Sequence, residues 1–328
     1  MIWCMSEFTF IDLFAGIGGM RQAFESAGGR CVFSSEINKW AQKTYKDNFG
    51  EEPFGDIRSI APEDIPDHDV TVAGFPCQAF SIAGVSSLKS RNRPHGFMDK
   101  TRGTLFFDVA NIIRAKRPKA FFLENVKNLV SHDKGRTFAT IKGTLQELGY
   151  SVYSKVIDAQ LLVPQRRRRI YIIGFREPTY FEFPNIENKA PKLKDVLESD
   201  VAERYTISDA SLRCMERHAQ RHKERGNGFG FGLADPNGVS RTLLARYYKD
   251  GADILIPQPG KNPRKLTPRE CARLMGFPDT FKITVSECQA YKQFGNSVVV
   301  PVVGVLAKAL AACLNGQEVE WNLRAPDE

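Results

Sequence analysis

A cysteine, a glutamate and alternating arginines carry the most legible chemistry in this chain of 328 residues. Cys77 closes the run Gly74-Phe75-Pro76-Cys77, directly after the apolar stretch DVTVAGF. A turn there that opens a helix gives the sulfur thiolate character, and Pro76 rigidifies the approach. A cysteine alone would read as an inert buried side chain, and it is this context that makes it a candidate nucleophile. Glu124 ends a second apolar run, KAFFLEN, within Glu124-Asn125-Val126. Beside a thiolate and a ligand pocket such a carboxyl is held protonated and donates to a ring nitrogen, the alternative being a solvated loop acid. The third element is Gln165-Arg166-Arg167-Arg168-Arg169, which leads into the apolar Ile170 to Phe175. Alternation along a strand sends Arg167 and Arg169 to one side and Arg166 and Arg168 to the other, so alternate arginines aim into a site.

A second group of residues suits an adenosine-containing ligand. Asp12-Leu13-Phe14-Ala15-Gly16-Ile17-Gly18-Gly19 ends a strand in a glycine turn and enters a helix, which brings backbone N–H groups to a ligand. It departs from G-x-G-x-x-G at Arg21, and a purely structural turn is the alternative. Glu36, at the end of the next strand, has the oxygens to accept two ribose hydroxyls, and Asp56 in Gly55-Asp56-Ile57 can accept from an adenine amino group. Each acid also fits a helix cap or a turn.

The elements that must position these residues follow from the apolar pattern. FTFIDLF, CVFSSE, DVTVAGF, KAFFLEN and RRIYIIGF are short runs bounded by Gly, Pro or charge, as strands buried between helices are. Helices are predicted over Met20–Ala27, Lys39–Asn48, Thr104–Ala115 and Thr137–Leu148. This βαβ series predicts an α/β fold with a mostly parallel, doubly wound sheet. Beyond Glu177 prolines, glycines and basic residues dominate up to about residue 287, and Gln289 to Asn315 returns to a packed apolar helix. The domain expectation is therefore a body of residues 1–178 and 288–328 interrupted by a smaller unit, 179–287.

Composition narrows the partners. Lys and Arg outnumber Asp and Glu by 46 to 38, for a net charge of +8, which favours a polyanion. The seven cysteines are scattered and never spaced C-x-x-C, which argues against a disulfide scaffold or a zinc ribbon and for a reducing cytoplasm. His218 and His222 share a helical face but lack an H-E-x-x-H pattern, so no metal is expected. Pro301 and Lys308 interrupt the most apolar stretch, Ser297 to Leu314, which reads as a core helix and not as a membrane span.

Taken together, Phe10 to Gly19, Gly74 to Gln78, Glu124 to Val126, Gln165 to Arg169, Thr267 to Gly276 and Gly295 to Val298 resemble, in order and spacing, the blocks of DNA cytosine-5 methyltransferases. The resemblance covers nearly the whole chain. It implies a Rossmann-like domain for S-adenosylmethionine, with S-adenosylhomocysteine as product, and a target-recognition domain at 179–287 facing double-stranded DNA. Cys77 is then the thiolate that adds to cytosine C6, Glu124 stabilises the N3-protonated ring, Arg169 holds O2, and Arg167 positions the catalytic loop. Phe75 and Pro76 face the exocyclic amine. Phe14 stacks on the cofactor adenine, Gly16 and Gly18 form its turn, and Glu36 and Asp56 bind ribose and amino group. Asn296 completes the cofactor side and braces the Pro76-Cys77 loop. Residues Ser81 to Arg102 form a basic closing loop that includes Arg91 and Arg93, with Ser81 near the vacated base position. Ser240 to Asp250 resembles the recognition region of the Dcm and EcoRII group, which acts on the inner cytosine of CCWGG, and makes Arg241 and Arg246 the guanine readers.

The rivals are the same chemistry on CCNGG or on RNA, a catalytically silent DNA-binding regulator, and a nicotinamide dehydrogenase. RNA-directed relatives carry Cys-Phe-Thr after the central acid, which this chain lacks. A dehydrogenase leaves Pro76-Cys77 unexplained. A monomer without an obligate protein partner is the expected state.

Overall fold

The computed structural model describes residues 7–76, 105–226 and 230–316. Cys77, Ser81, Arg91 and Arg93 lie outside the described residues. Six strands form one sheet: β1 (Phe8–Leu13), β2 (Gly29–Ser35), β3 (Val70–Ala73), β4 (Ala120–Val126), β5 (Ser151–Asp158) and β6 (Arg168–Phe175). Their order is β2-β1-β3-β4-β6-β5. The pairs among β1 to β4 are parallel, while β6 runs antiparallel to both β4 and β5, so one strand is reversed in an otherwise parallel sheet. Between β5 and β6 the chain makes only a short 3-10 turn at Ala159–Leu161, too little for the crossover that a parallel neighbour needs. β5 is absent from the predicted strands. Its sequence SVYSKVID is half-exposed at the sheet edge and lacks the continuous apolar run of the inner strands.

Helices α1 (Gly19–Glu25), α2 (Lys39–Phe49), α3 (Leu105–Lys116) and α4 (Arg136–Glu147) fall within two residues of their predicted bounds. α2 starts at Asn38, whose side chain accepts from the N–H groups of Trp40 and Ala41, and stops at Gly50 in the left-handed region. Ile11, Leu13, Phe121 and Leu123 face α3 and α4 on one side of the sheet. Phe10, Val72 and Phe122 face α1 on the other. Because both faces are covered, β1, β3 and β4 read as unbroken apolar runs rather than alternating ones.

After β6 come α5 (Asp209–Glu224), the antiparallel pair β7 (Leu255–Gln258) and β8 (Lys261–Lys265), then α6 (Pro268–Leu274), α7 (Glu287–Asn296) and α8 (Val300–Leu314). Leu243, Tyr247, Ile254 and Leu266 join the same apolar cluster as Phe10 and Leu306. The single apolar helix expected over Gln289–Asn315 is two helices, α7 and α8. Pro301 lies in the first turn of α8, where its missing N–H costs nothing, and the chain turns at Ser297–Val299 before it. By length and composition Glu287–Leu314 would suffice to cross a membrane. In the fold Val302, Val303, Leu306 and Leu310 instead fill the core beside Ala23 and Phe24 of α1.

Candidate active site

The carboxyl ends of β1, β3 and β4 open into a cavity of about 550 Å³. Strand order reverses here, since β2 and β3 flank β1 on opposite sides, which leaves a crevice between the diverging connections. The glycine turn after β1 forms one wall. Phe14, Gly16 and Gly18 all have positive φ, of 59°, 57° and 83°. A Cβ on Gly18 would come within 2.1 Å of the Phe49 ring, so both its φ and its packing require glycine. Arg21, the departure from the dinucleotide pattern, is buried and bonds Glu25, Tyr45 and Glu51, fastening α1 to α2. Below the turn, the Asp12 carboxyl is fully buried, and burial pushes its pKa up to about 8 against the opposing pull of the Arg21 backbone N–H and charge.

Glu36 joins the turn to α2. Its Oε2 accepts from Gly16 N–H at 2.9 Å and its Oε1 from Asn38 N–H at 2.7 Å. Each carboxylate oxygen retains acceptor capacity, and the side chain lines the cavity. Asp56 lines a smaller adjoining recess of about 180 Å³ with Phe14 and Ile37. Its carboxylate caps the turn Ile57–Ser59 and pairs with Arg58, whose hydrogen bonds hold it below the usual range. The turn-acid alternative is thus realised in the geometry, at the recess where an adenine contact is expected.

The opposite wall comes from β3, β4 and β6. Glu124, at the end of β4, is paired with Arg169, its Oε1 lying 3.1 Å from Arg169 Nε. Burial raises the Glu124 pKa, opposed by the positive charges of Arg169 and Arg167. The alternation expected from sequence holds: Arg167 and Arg169 line the cavity, while Arg168 pairs with Asp158 at 2.9 Å and Arg166 is exposed. Arg167 is buried and donates to three carbonyls, of Leu243 at 2.9 Å, Gly295 at 3.0 Å and Ser297 at 2.7 Å. Burial and the Arg169 charge lower its proton affinity, and the carbonyls keep a charged guanidinium in place.

Three residues in or beside the cavity hold positions to which the sequence reading gave no role. Asn125 donates from Nδ2 to the Phe75 carbonyl at 2.8 Å, fixing the approach to Pro76. Gln165 accepts from Leu243 N–H at 2.8 Å and donates to the Leu274 carbonyl, so it anchors the chain near residue 243 together with Arg167. Both stand inside motif blocks, where an amide beside a charged residue was the available signal. Lys292, on α7, also lines the cavity. Asn296 lines it too, from the exposed end of the same helix. Arg241 and Arg246 are exposed and lie outside this cavity, close enough to Asp253 for both charges to act on that acid. His218 and His222 approach to 3.1 Å between Nε2 atoms, but no cluster of three potential metal ligands occurs among the described residues.

Residues 8–312 match the family model of C-5 cytosine-specific DNA methylases. The chain belongs to this family. Its relatives include the type II methyltransferase M.DsaV of Dactylococcopsis salina, 49% identical over 98% of this chain and 91% of that one. The type II methyltransferase M.SsoII of Shigella sonnei is 51% identical over 94% and 81% of the two chains. The DNA-cytosine methyltransferase of Escherichia coli K12 is 46% identical over 97% and 82%. The fold matches the crystal structure of S. pombe Dnmt2 methyltransferase with a TM-score of 0.73 over 95% of this chain and 99% of that one, at 20% identity. The protein is thus a DNA cytosine-5 methyltransferase, and enzymes of this family take their methyl group from S-adenosylmethionine.

Proposed function

We propose that this methyltransferase modifies C5 of the inner cytosine of CCWGG, flipped out of duplex DNA into the cavity, and that it acts as a cytoplasmic monomer. The observation that carries the chemistry is the Glu124–Arg169 pair, a buried acid and a cation 3.1 Å apart at the wall shared with Phe75 and Pro76. A base edge there meets a proton donor for N3 and a cation for O2 in one corner. The same atoms are unreachable inside a stacked duplex, which is why flipping is required.

Cytosine C5 is a weak nucleophile because attack from it costs aromaticity. Cys77, as thiolate, adds to C6; protonation at N3 by Glu124 draws the displaced electrons into the ring and leaves an enamine whose C5 is nucleophilic. Arg169 balances charge at O2, while Arg167 holds the backbone on which the site is assembled. Once C5 carries the methyl group, a base removes the C5 proton, the thiolate leaves C6 and the N3 proton returns to Glu124, restoring the neutral ring. S-adenosylmethionine supplies a methyl group on a positively charged sulfur. The residues fit it: the positive-φ turn admits close approach, and Glu36 has acceptor capacity left for ribose hydroxyls. Phe14 would stack on the adenine, Asp56 would reach its amino group from the smaller recess, and Asn296 would close the far side.

Glu36→Ala tests the cofactor half. It is expected to weaken S-adenosylmethionine binding by about 1.5–3 kcal/mol, the range for hydrogen bonds to a charged acceptor, with DNA affinity in its absence unchanged. Calorimetry showing wild-type affinity would leave Glu36 only its backbone role at Gly16 and Asn38.

Residues 179–287 form the recognition unit of this proposal, with Arg241 and Arg246 as base readers. Arg241→Ala or Arg246→Ala is then expected to cost about 1–3 kcal/mol at one position of the site and to relax preference there. A phosphate contact would weaken all sequences alike and flatten the salt dependence. Competition binding on CCWGG, CCSGG and single-guanine variants at two salt concentrations separates the two. Bisulfite sequencing of plasmid DNA from expressing cells reads site and base together, and equal modification of CCWGG and CCSGG would replace the target by CCNGG.

A further inference from the structure

Two of the arginines lining the main cavity are committed: Arg167 to three carbonyls and Arg169 to Glu124. Lys292 is not. It stands on the cavity side of α7, and among the described residues its ammonium has no carboxylate or carbonyl partner. It rests instead on the Tyr248 ring, 4.4 Å from the centroid. Such a contact orients a cation without neutralising it, at a strength of roughly 0.5–2 kcal/mol.

The position of Tyr248 ties this charge to the segment that contains Arg246. Tyr248 ends the turn Ala245–Tyr248, which contains Arg246. That turn presses on α7 so closely that a Cβ on Gly295 would come within 2.5 Å of Leu244 and Ala245 backbone atoms. Lys292 therefore sits where the cavity meets the segment proposed to read bases. A nucleotide swung into the cavity by the proposed flipping would carry its two flanking phosphates to the rim, within reach of a long, flexible ammonium side chain.

We propose that Lys292 binds a backbone phosphate next to the flipped cytosine, with Tyr248 as its rest, so that it is a substrate-positioning residue. The inference depends on the reading that the cavity receives a flipped base from duplex DNA. Lys292→Gln is expected to raise KM for DNA about tenfold with little change in kcat at saturating DNA. The plot of log affinity against log salt should become shallower by about 0.9, the contribution of one phosphate contact. Lys292→Arg should restore most of the affinity, and Tyr248→Leu should lose part of it. Thermal melts of all three variants report folding separately. Unchanged salt dependence and KM would overturn the proposal. So would weakened S-adenosylmethionine binding measured without DNA, which would assign the ammonium to the carboxylate of the methyl donor. If wild-type enzyme methylated unstacked single strands and duplex equally well, the flipped-base reading itself would fail, irrespective of the Lys292 variants.

Discussion

Cys77→Ser is expected to abolish turnover, by at least about 10³-fold in kcat, while DNA and S-adenosylmethionine still bind. A serine hydroxyl ionises far above neutral pH, whereas a cysteine thiol ionises at much lower pH and is the stronger nucleophile, and only the anion adds to C6. Binding survives because the walls of the cavity are built from other elements: the glycine turn, Glu36, Asn125 with Phe75, and the Glu124–Arg169 pair. A substrate carrying 5-fluorocytosine supplies the positive control. Fluorine cannot leave C5 as a proton does, so the wild type should be trapped covalently on DNA, stable to denaturation, and the serine variant should not. Methylation by Cys77→Ser at the wild-type rate would remove this residue from the mechanism.

Much of the fold was legible because its inner strands are covered on both faces. Burial on two sides leaves an apolar run with sharp polar ends, and β1, β3 and β4 each end in a residue group that lines the cavity. β5 was hidden by the same physics, since an edge strand half in water has no such run. Glu124 and Arg169 could be paired from sequence only as neighbours in kind; their contact depends on β4 and β6 being antiparallel partners, with Val126 opposite Arg169. The role of Arg167 was less accessible still. Spacing aimed it inward, but its acceptors lie 76, 128 and 130 residues away, and all are backbone carbonyls, which carry no residue type to read. Asn125 shows a similar limit, since its bond to Phe75 spans two strands. Arg241 and Arg246, proposed above as base readers, gain least from the fold, because an exposed guanidinium shows its use only against DNA.

Glu124→Gln is expected to lower kcat by about 10²–10⁴-fold, the usual contribution of a positioned acid, with DNA and cofactor affinity retained. Glutamine keeps the shape and a hydrogen-bond donor but cannot deliver a proton to N3. The pH dependence gives a sharper test. Burial raises the Glu124 pKa above that of an ordinary glutamate, with Arg169 and then Arg167 pulling it back. A raised value means that the proton stays on at pH where a solvated glutamate has lost it, so the acid is competent below that pKa and fails as pH rises through it. The Cys77 thiol imposes the opposite requirement, needing to ionise as pH rises. The wild-type rate should therefore be bell-shaped, with the descending limb set by Glu124 in the enzyme–DNA complex. In Glu124→Gln that limb should vanish while the ascending limb remains. Arg169→Ala removes the nearest charge that favours the carboxylate, so it should move the descending limb to higher pH as well as lowering kcat. A glutamine variant with both limbs and wild-type kcat would show that N3 receives its proton from elsewhere, and the buried pair would then be no more than a structural tie between β4 and β6.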